Sequence, residues 1–147
     1  MPALKEDTKA PDFKVAADNG ETLTLKDYKG QKLVLYFYPK DDTPGCTTEA
    51  CNFNDALPKF EKMGAAVLGI SRDSLKKHEK FSEKFGLAFP LGADEDGAMC
   101  EAYGVWVEKS MYGKKYMGID RSTFLISEDG KIIKIWRGVK VPGHIDE

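Results

Sequence analysis

The chain has no apolar run approaching the roughly 20 residues that a membrane-spanning helix needs. Its opening, Met1-Pro2-Ala3-Leu4-Lys5-Glu6-Asp7, lacks the apolar centre of a signal peptide. It has no excess of either charge: 22 Lys and Arg stand against 24 Asp and Glu, for a formal net charge of -2, with Lys and Glu interspersed. That balance leaves no electrostatic footprint for nucleic acid and no polybasic patch for a lipid surface. Repeats, linkers and low-complexity tracts are absent. A reducing, cytoplasmic compartment is the resulting expectation, and there three cysteines do not suggest a structural disulfide framework.

What is present is ordinary for a globular protein. The 147 residues are 41% hydrophobic and 31% charged, enough for a proper core, and the expectation is one domain over residues 1–147.

After a polar lead-in, Phe13-Lys14-Val15 and Thr22-Leu23-Thr24-Leu25 read as short strands joined at Asp18-Asn19-Gly20, a strong hairpin signal. Leu25 to Lys29 reads as one helical turn closed by Gly30. Lys32-Leu33-Val34-Leu35-Tyr36-Phe37-Tyr38 is almost continuously apolar, as a strand covered on both faces must be. A helix is expected from Thr43 toward Met63, with a kink or a division into two helices at Pro58, which has no amide to donate. Ala65 to Ser71 is a second buried-strand pattern. Ser74 caps a helix through Phe85, closed by Gly86, with Leu75, His78, Phe81 and Phe85 at helical spacing. Phe89-Pro90-Leu91 is a short extended piece, and Gly97 to Tyr103 a short helix carrying Cys100. Val105-Trp106-Val107 and Tyr112 to Met117 form an excursion before a closing hairpin, Arg121 to Ser127 and Lys131 to Trp136, turned at Asp129-Gly130. Strand–helix–strand units imply a parallel centre, and the closing hairpin adds antiparallel strands. The expected fold is α/β and thioredoxin-like, with a central mixed sheet and an added N-terminal β-hairpin.

The chemistry gathers where the apolar strand ends, in Tyr38-Pro39-Lys40-Asp41-Asp42-Thr43-Pro44-Gly45-Cys46-Thr47-Thr48-Glu49-Ala50-Cys51. Thr43 suits an N-cap and Pro44 the first helical position. Cys46 then lies about three residues past the cap, where unpaired amides and the positive end of the helix dipole favour a thiolate. Thr43 can donate a hydroxyl to the sulfur or to an oxygen bound beside it, and Pro39 can shield the sulfur from bulk water. None of these groups is a general base, so the pattern suits an anion that attacks as it stands. Cys51 follows five residues on. Residues five apart in a regular helix have Cα atoms roughly 8.7 Å apart, whereas a disulfide needs about 4.4 to 6.8 Å. A Cys46–Cys51 bond therefore requires the first turns to unwind.

Other chemistries fit less well. A thioredoxin-like disulfide carrier wants Cys-x-x-Cys, and position 49 is Glu. A cysteine phosphatase loop wants Arg where Asn52 stands. Cys-x4-Cys with one further Cys and two scattered His is poor zinc spacing. A chaperone-like scaffold would not need Thr43, Cys46 and Arg121 together.

The segment Pro39 to Cys46 matches the Pro-x-x-x-Thr-x-x-Cys signature of peroxiredoxins. Its continuation to Cys51, and Tyr112-Gly113-Lys114-Lys115-Tyr116-Met117-Gly118-Ile119 before Arg121-Ser122-Thr123-Phe124-Leu125-Ile126, resemble the bacterioferritin comigratory protein (PrxQ) subfamily. The resemblance covers roughly residues 5 to 146. It implies a thiol peroxidase acting on hydrogen peroxide and organic hydroperoxides. Cys46 would be the peroxidatic cysteine and Cys51 the resolving one, forming an intramolecular disulfide that thioredoxin or a similar dithiol reduces. Thr43 and Arg121 would bind the peroxide oxygens and sulfur, Arg121 would favour the thiolate, and Pro39 would close the pocket. No metal, haem or flavin is implied. Resolution within one chain makes a monomer the expectation. Members of the subfamily continue into a final helix where this chain ends at Val141 to Glu147, so a truncated C-terminus is also expected.

The remaining candidates read as structural. Cys100 packs on a small apolar helical face with Met99 and Tyr103. Arg72 and Arg137 are solvated or ion-paired. His78 and His144 are isolated from each other and from the cysteines. Tyr36, Phe37 and Tyr38 are mostly core. Glu49 serves the first turns of its helix electrostatically, with a contact near the site left open.

Overall fold

The computed structural model describes residues 8–18, 20–39, 44–62, 64–95, 97–111 and 113–136. Thr43, Arg137, His144 and the C-terminal segment from 137 onward lie outside the described residues, so the expectations for them are not addressed.

The elements follow the apolar pattern closely. In order they are β1 (Lys14–Ala17), β2 (Thr22–Thr24), a 3-10 turn (Leu25–Tyr28), β3 (Lys32–Phe37), α1 (Pro44–Lys62), β4 (Ala65–Ser71), α2 (Leu75–Phe85), β5 (Leu91–Ala93), α3 (Ala98–Ala102), β6 (Trp106–Met111), β7 (Lys114–Ile119), β8 (Ser122–Ile126) and β9 (Ile132–Trp136). Seven strands form one mixed sheet in the order β2-β1-β5-β4-β3-β8-β9. β3, β4 and β5 run parallel at its centre, β8 and β9 extend it antiparallel on one side, and the N-terminal hairpin joins it antiparallel through β5. This is the thioredoxin-like arrangement with the added hairpin.

The side chains of β3 alternate between two cores, which is why the strand is apolar throughout. Leu33, Leu35 and Phe37 join Phe13, Val15, Leu68, Ile70, Met99, Cys100, Tyr103 and Phe124 on one face. Val34, Tyr36 and Tyr38 join Cys46, Ala50, Phe53, Leu57, Phe81 and Leu91 beneath α1 and α2 on the other.

The expected break at Pro58 does not occur as a division into two helices: α1 is continuous from Pro44 to Lys62 with Pro58 inside it. A proline in a helix interior costs about 3 kcal/mol. Phe53 and Leu57 before it are buried and Phe60 after it packs on the same core, and full burial of such a side chain contributes about 1.5–3 kcal/mol. That packing keeps both halves in one helix.

β6 and β7, the least certain part of the sequence reading, pair with each other from Trp106↔Ile119 to Met111↔Lys114 as a separate two-stranded sheet. The excursion is thus a hairpin, and its returning strand delivers the chain to residue 121. Ser74 caps α2 through a bond accepted from the Lys77 amide, and Gly86 closes it in the left-handed conformation, as expected.

His78 is held in the core by polar partners. It is fully buried on α2; its Nε2–H donates to the Gly92 carbonyl at 2.9 Å, which leaves Nδ1, 3.4 Å from the Tyr38 hydroxyl, as an acceptor. A polar side chain at that depth needs such partners, and these tie α2 to both β3 and β5.

One glycine is required by close approach. Gly69 on β4 lies opposite Tyr36 of β3, and a Cβ there would come within 2.8 Å of the Tyr36 ring. The ring is free to lie flat and stack on Phe53 of α1, with centroids 4.5 Å apart. Gly69→Ala should displace Tyr36 and loosen α1, lowering stability by about 1–3 kcal/mol. Chemical denaturation measures this, and a loss below about 0.5 kcal/mol would show that the ring contact is not a constraint.

Candidate active site

α1 opens at Pro44, seven residues past Phe37 at the C-terminal end of β3. Cys46 is the third residue of α1 and is 2% exposed. Glu49, one turn later at i+3, lies on the same face and is wholly buried. Arg121 comes from a different part of the chain. It immediately precedes β8, whose first residue, Ser122, pairs with Phe37 at the end of β3. Sheet register therefore brings residue 121 beside the start of α1.

The Arg121 guanidinium bridges the two helical residues. Nη2 donates to Cys46 Sγ at 3.1 Å, and Nη1 donates to Glu49 Oε1 at 2.6 Å. The fork of the guanidinium, planar and fixed, matches one helical turn. Removed from water, its charge acts on the sulfur more strongly than it would in bulk solvent. Burial opposes the charge on Arg121, but Glu49 and Cys46 hold it firmly in the protonated form. Burial also pushes the Glu49 carboxyl up to about 7, against the opposing pull of Arg121, and among the described residues Glu49 Oε2 has no hydrogen-bond partner.

Cys51 sits on another side of α1, partly exposed, as a free thiol. Burial, and then the negative charge of Asp55 one turn on, push its pKa above the ordinary thiol value. Cys46 is likewise unbonded, so the helix is in its dithiol form. Cys100 belongs to the core on the opposite face of the sheet from Cys46. Its amide donates to Asp94 Oδ2 at 2.8 Å, and the Met99 amide donates to Asp94 Oδ1 at 3.1 Å. Asp94 thereby caps α3, and Cys100 is a packing residue. Pro39 follows Tyr38 at the mouth of the β3–α1 turn and is exposed.

Of the residues singled out in the sequence, the structure thus brings Cys46 and Arg121 into contact, keeps Cys51 apart from Cys46 on its own helix, and sets Pro39 at the turn. For Glu49 the sequence suggested an electrostatic duty in the helix and left a contact near the site open; the contact with Arg121 is present. Its i+3 spacing from Cys46 was the available signal for a place in this cluster.

Comparison with known proteins agrees with the geometry. The AhpC/TSA family profile matches residues 7–135. Peroxiredoxin Bcp of Bacillus subtilis is 54% identical over 139 residues, 95% of this chain and 88% of the relative. A cysteine-to-serine variant of Xanthomonas campestris Peroxiredoxin Q superposes with a TM-score of 0.90 at 50% identity, over 95% of this chain and 93% of that one. The X. campestris bacterioferritin comigratory protein, solved in work on its alkyl peroxide reduction activity, gives a TM-score of 0.87 at 53% identity over 91% and 85% of the two chains. The chain therefore belongs to the AhpC/TSA family, among the peroxiredoxins of the Bcp/PrxQ kind.

The raised Glu49 carboxyl carries a stability signature. Its ordinary value is 4.5 and its folded value about 7, so between those pH values the unfolded chain gives up this proton and the folded chain keeps it. Ionisation then favours unfolding progressively as pH rises, and the effect levels off above about 7. Relative to Glu49→Gln, the native protein should lose stability from pH 4.5 to 7 and change little beyond. Denaturant midpoints of both proteins across that range test it, and a constant difference would contradict it.

Proposed function

We propose that this chain is a thiol-dependent peroxidase that reduces hydrogen peroxide and organic hydroperoxides, with Cys46 as the attacking group. The observation that carries this reading is the Arg121 guanidinium held on Cys46 Sγ at 3.1 Å while Glu49 fixes its other arm. The Cys46 thiolate attacks one oxygen of the peroxide and the O–O bond breaks. Cys46 becomes a sulfenic acid, and the departing hydroxide or alkoxide takes up a proton to leave as water or alcohol. Arg121, and Thr43 by the signature, donate hydrogen bonds to the oxygens as charge passes onto the leaving one. Pro39 shields the pocket. The alkyl peroxide reduction activity of the similar X. campestris protein supports the substrate class.

Cys51 resolves the sulfenic acid. Its thiol displaces water from Cys46–SOH to give a Cys46–Cys51 disulfide, and a thioredoxin-like dithiol takes over that bond by exchange. The spacing requires α1 to unwind first, because helical residues five apart are separated by about 8.7 Å. Unwinding also frees Cys51 from the burial and the neighbouring Asp55 charge that keep it protonated in the helix. Resolution inside one chain needs no partner subunit, which suits a monomer, and dependence on a dithiol reductant suits the cytoplasm.

Stopped-flow fluorescence with Trp106 and Trp136 as reporters tests the assignment of the two cysteines. Reduced protein should oxidise rapidly with stoichiometric peroxide. Cys46→Ser should abolish that phase, and Cys51→Ser should keep it while accumulating a sulfenic acid that dimedone traps. Peroxide turnover by Cys46→Ser in the presence of thioredoxin would refute the reading.

A further inference from the structure

Arg121 can serve the sulfur only if its own peptide is fixed, and the pinning residues are visible. Ile119, immediately upstream in β7, pairs with Trp106, the first residue of β6. The Asp120 amide donates to the Val105 carbonyl at 2.7 Å. The Ser122 hydroxyl donates back to the Asp120 carbonyl at 2.8 Å, and Ser122 is itself wholly buried. The chain on the N-terminal side of Arg121 thus rests on residues 105 and 106.

Trp106 is in turn held from across the molecule. The Arg72 guanidinium, just past the end of β4, lies 4.4 Å from the centre of the Trp106 ring. Its Nη2 donates to the Glu95 carbonyl at 2.9 Å. The guanidinium also lies against Gly97, where a Cβ would come within 3.2 Å of Nε and 3.3 Å of Cζ; Gly97 also has a φ of +77, so a side chain there is disfavoured twice over. Among the described residues Arg72 Nε is buried without a hydrogen-bond partner, a cost that stacking on the ring offsets in part.

From this layering we infer that Arg72 is a positioning residue for peroxide reduction: stacked on Trp106, it buttresses the β6–β7 hairpin base that holds the Arg121 backbone in line with Cys46. Arg72 is not placed at the sulfur and acts only through Arg121, so the inference rests on the role proposed for Arg121 above. Loss of the stack lets the Val105–Trp106 end of the hairpin shift and the Arg121 guanidinium with it. Catalytic geometry is steep enough in distance for a small displacement to show in the rate.

The test is a double-mutant cycle on the second-order rate of Cys46 oxidation by hydrogen peroxide, with Arg72→Ala, Arg121→Ala and the double variant. Residues acting through one another give non-additive effects. Arg72→Ala should slow oxidation about three- to tenfold in the native background and less than about twofold once Arg121 is alanine. If Arg121→Ala slows the reaction but Arg72→Ala has no effect, or the same fold effect in both backgrounds, the positioning role is wrong and the reading of Arg121 stands. If Arg121→Ala itself leaves the rate unchanged, the reading of Arg121 fails and this inference with it. Should Arg72→Ala not fold, Trp106→Phe and Trp106→Leu replace it. Phenylalanine keeps an aromatic face under the guanidinium and should keep the rate, while leucine should show the loss; equal rates would overturn the proposal.

Discussion

The Arg121 guanidinium touches Cys46 with one nitrogen and Glu49 with another, and that fork can close only when both residues sit one helical turn apart on the same face. The contact therefore demands an intact opening turn of α1. It also demands that residue 121 stand at a fixed place beside it, which the antiparallel pairing of β8 with β3 supplies. Much of the fold serves those two demands. Gly69 lets the Tyr36 ring lie flat against Phe53, so that α1 seats on the sheet. His78 ties α2 to the neighbouring strands under the same core.

The same helix carries the opposing requirement. In the proposed cycle Cys46 attacks from a formed helix and meets Cys51 only when that helix opens. Burial supports this division. Cys46 lies inside the core with Arg121 against it, whereas Cys51 lies partly exposed, and burial and then the Asp55 charge raise its pKa above the ordinary thiol value. The wholly buried Glu49 adds tension to the formed state, because one carboxyl oxygen has no partner among the described residues and burial raises the group to about 7. A turn held by a strong contact and burdened by an unsatisfied one is suited to switching between two conformations.

The continuous apolar run of β3, the Ser74 and Gly86 signals around α2 and the hairpin at each end were legible in the residues, because period, caps and turn chemistry are local properties. Cys46, Cys51 and Arg121 were legible through their flanking motif. Pro58 does not divide the helix because its local cost is outweighed by Phe53, Leu57 and Phe60 packing on the sheet, a tertiary effect. The surroundings of Arg72 and His78 were not readable for a related reason. A single arginine or histidine carries no sign of the indole, carbonyl or hydroxyl that the topology brings to it from 14 to 40 residues away. Glu49 falls between: its i+3 spacing was readable, but its pairing with Arg121 depends on the β3–β8 register.

The most direct test of this two-state reading is amide hydrogen exchange on the dithiol and disulfide forms of the native protein. The backbone amides of residues 46–53 should be protected in the dithiol form and lose protection on oxidation, while the sheet-packed end of α1 beyond Leu57 keeps it. Equal protection of residues 46–53 in the two forms would contradict it.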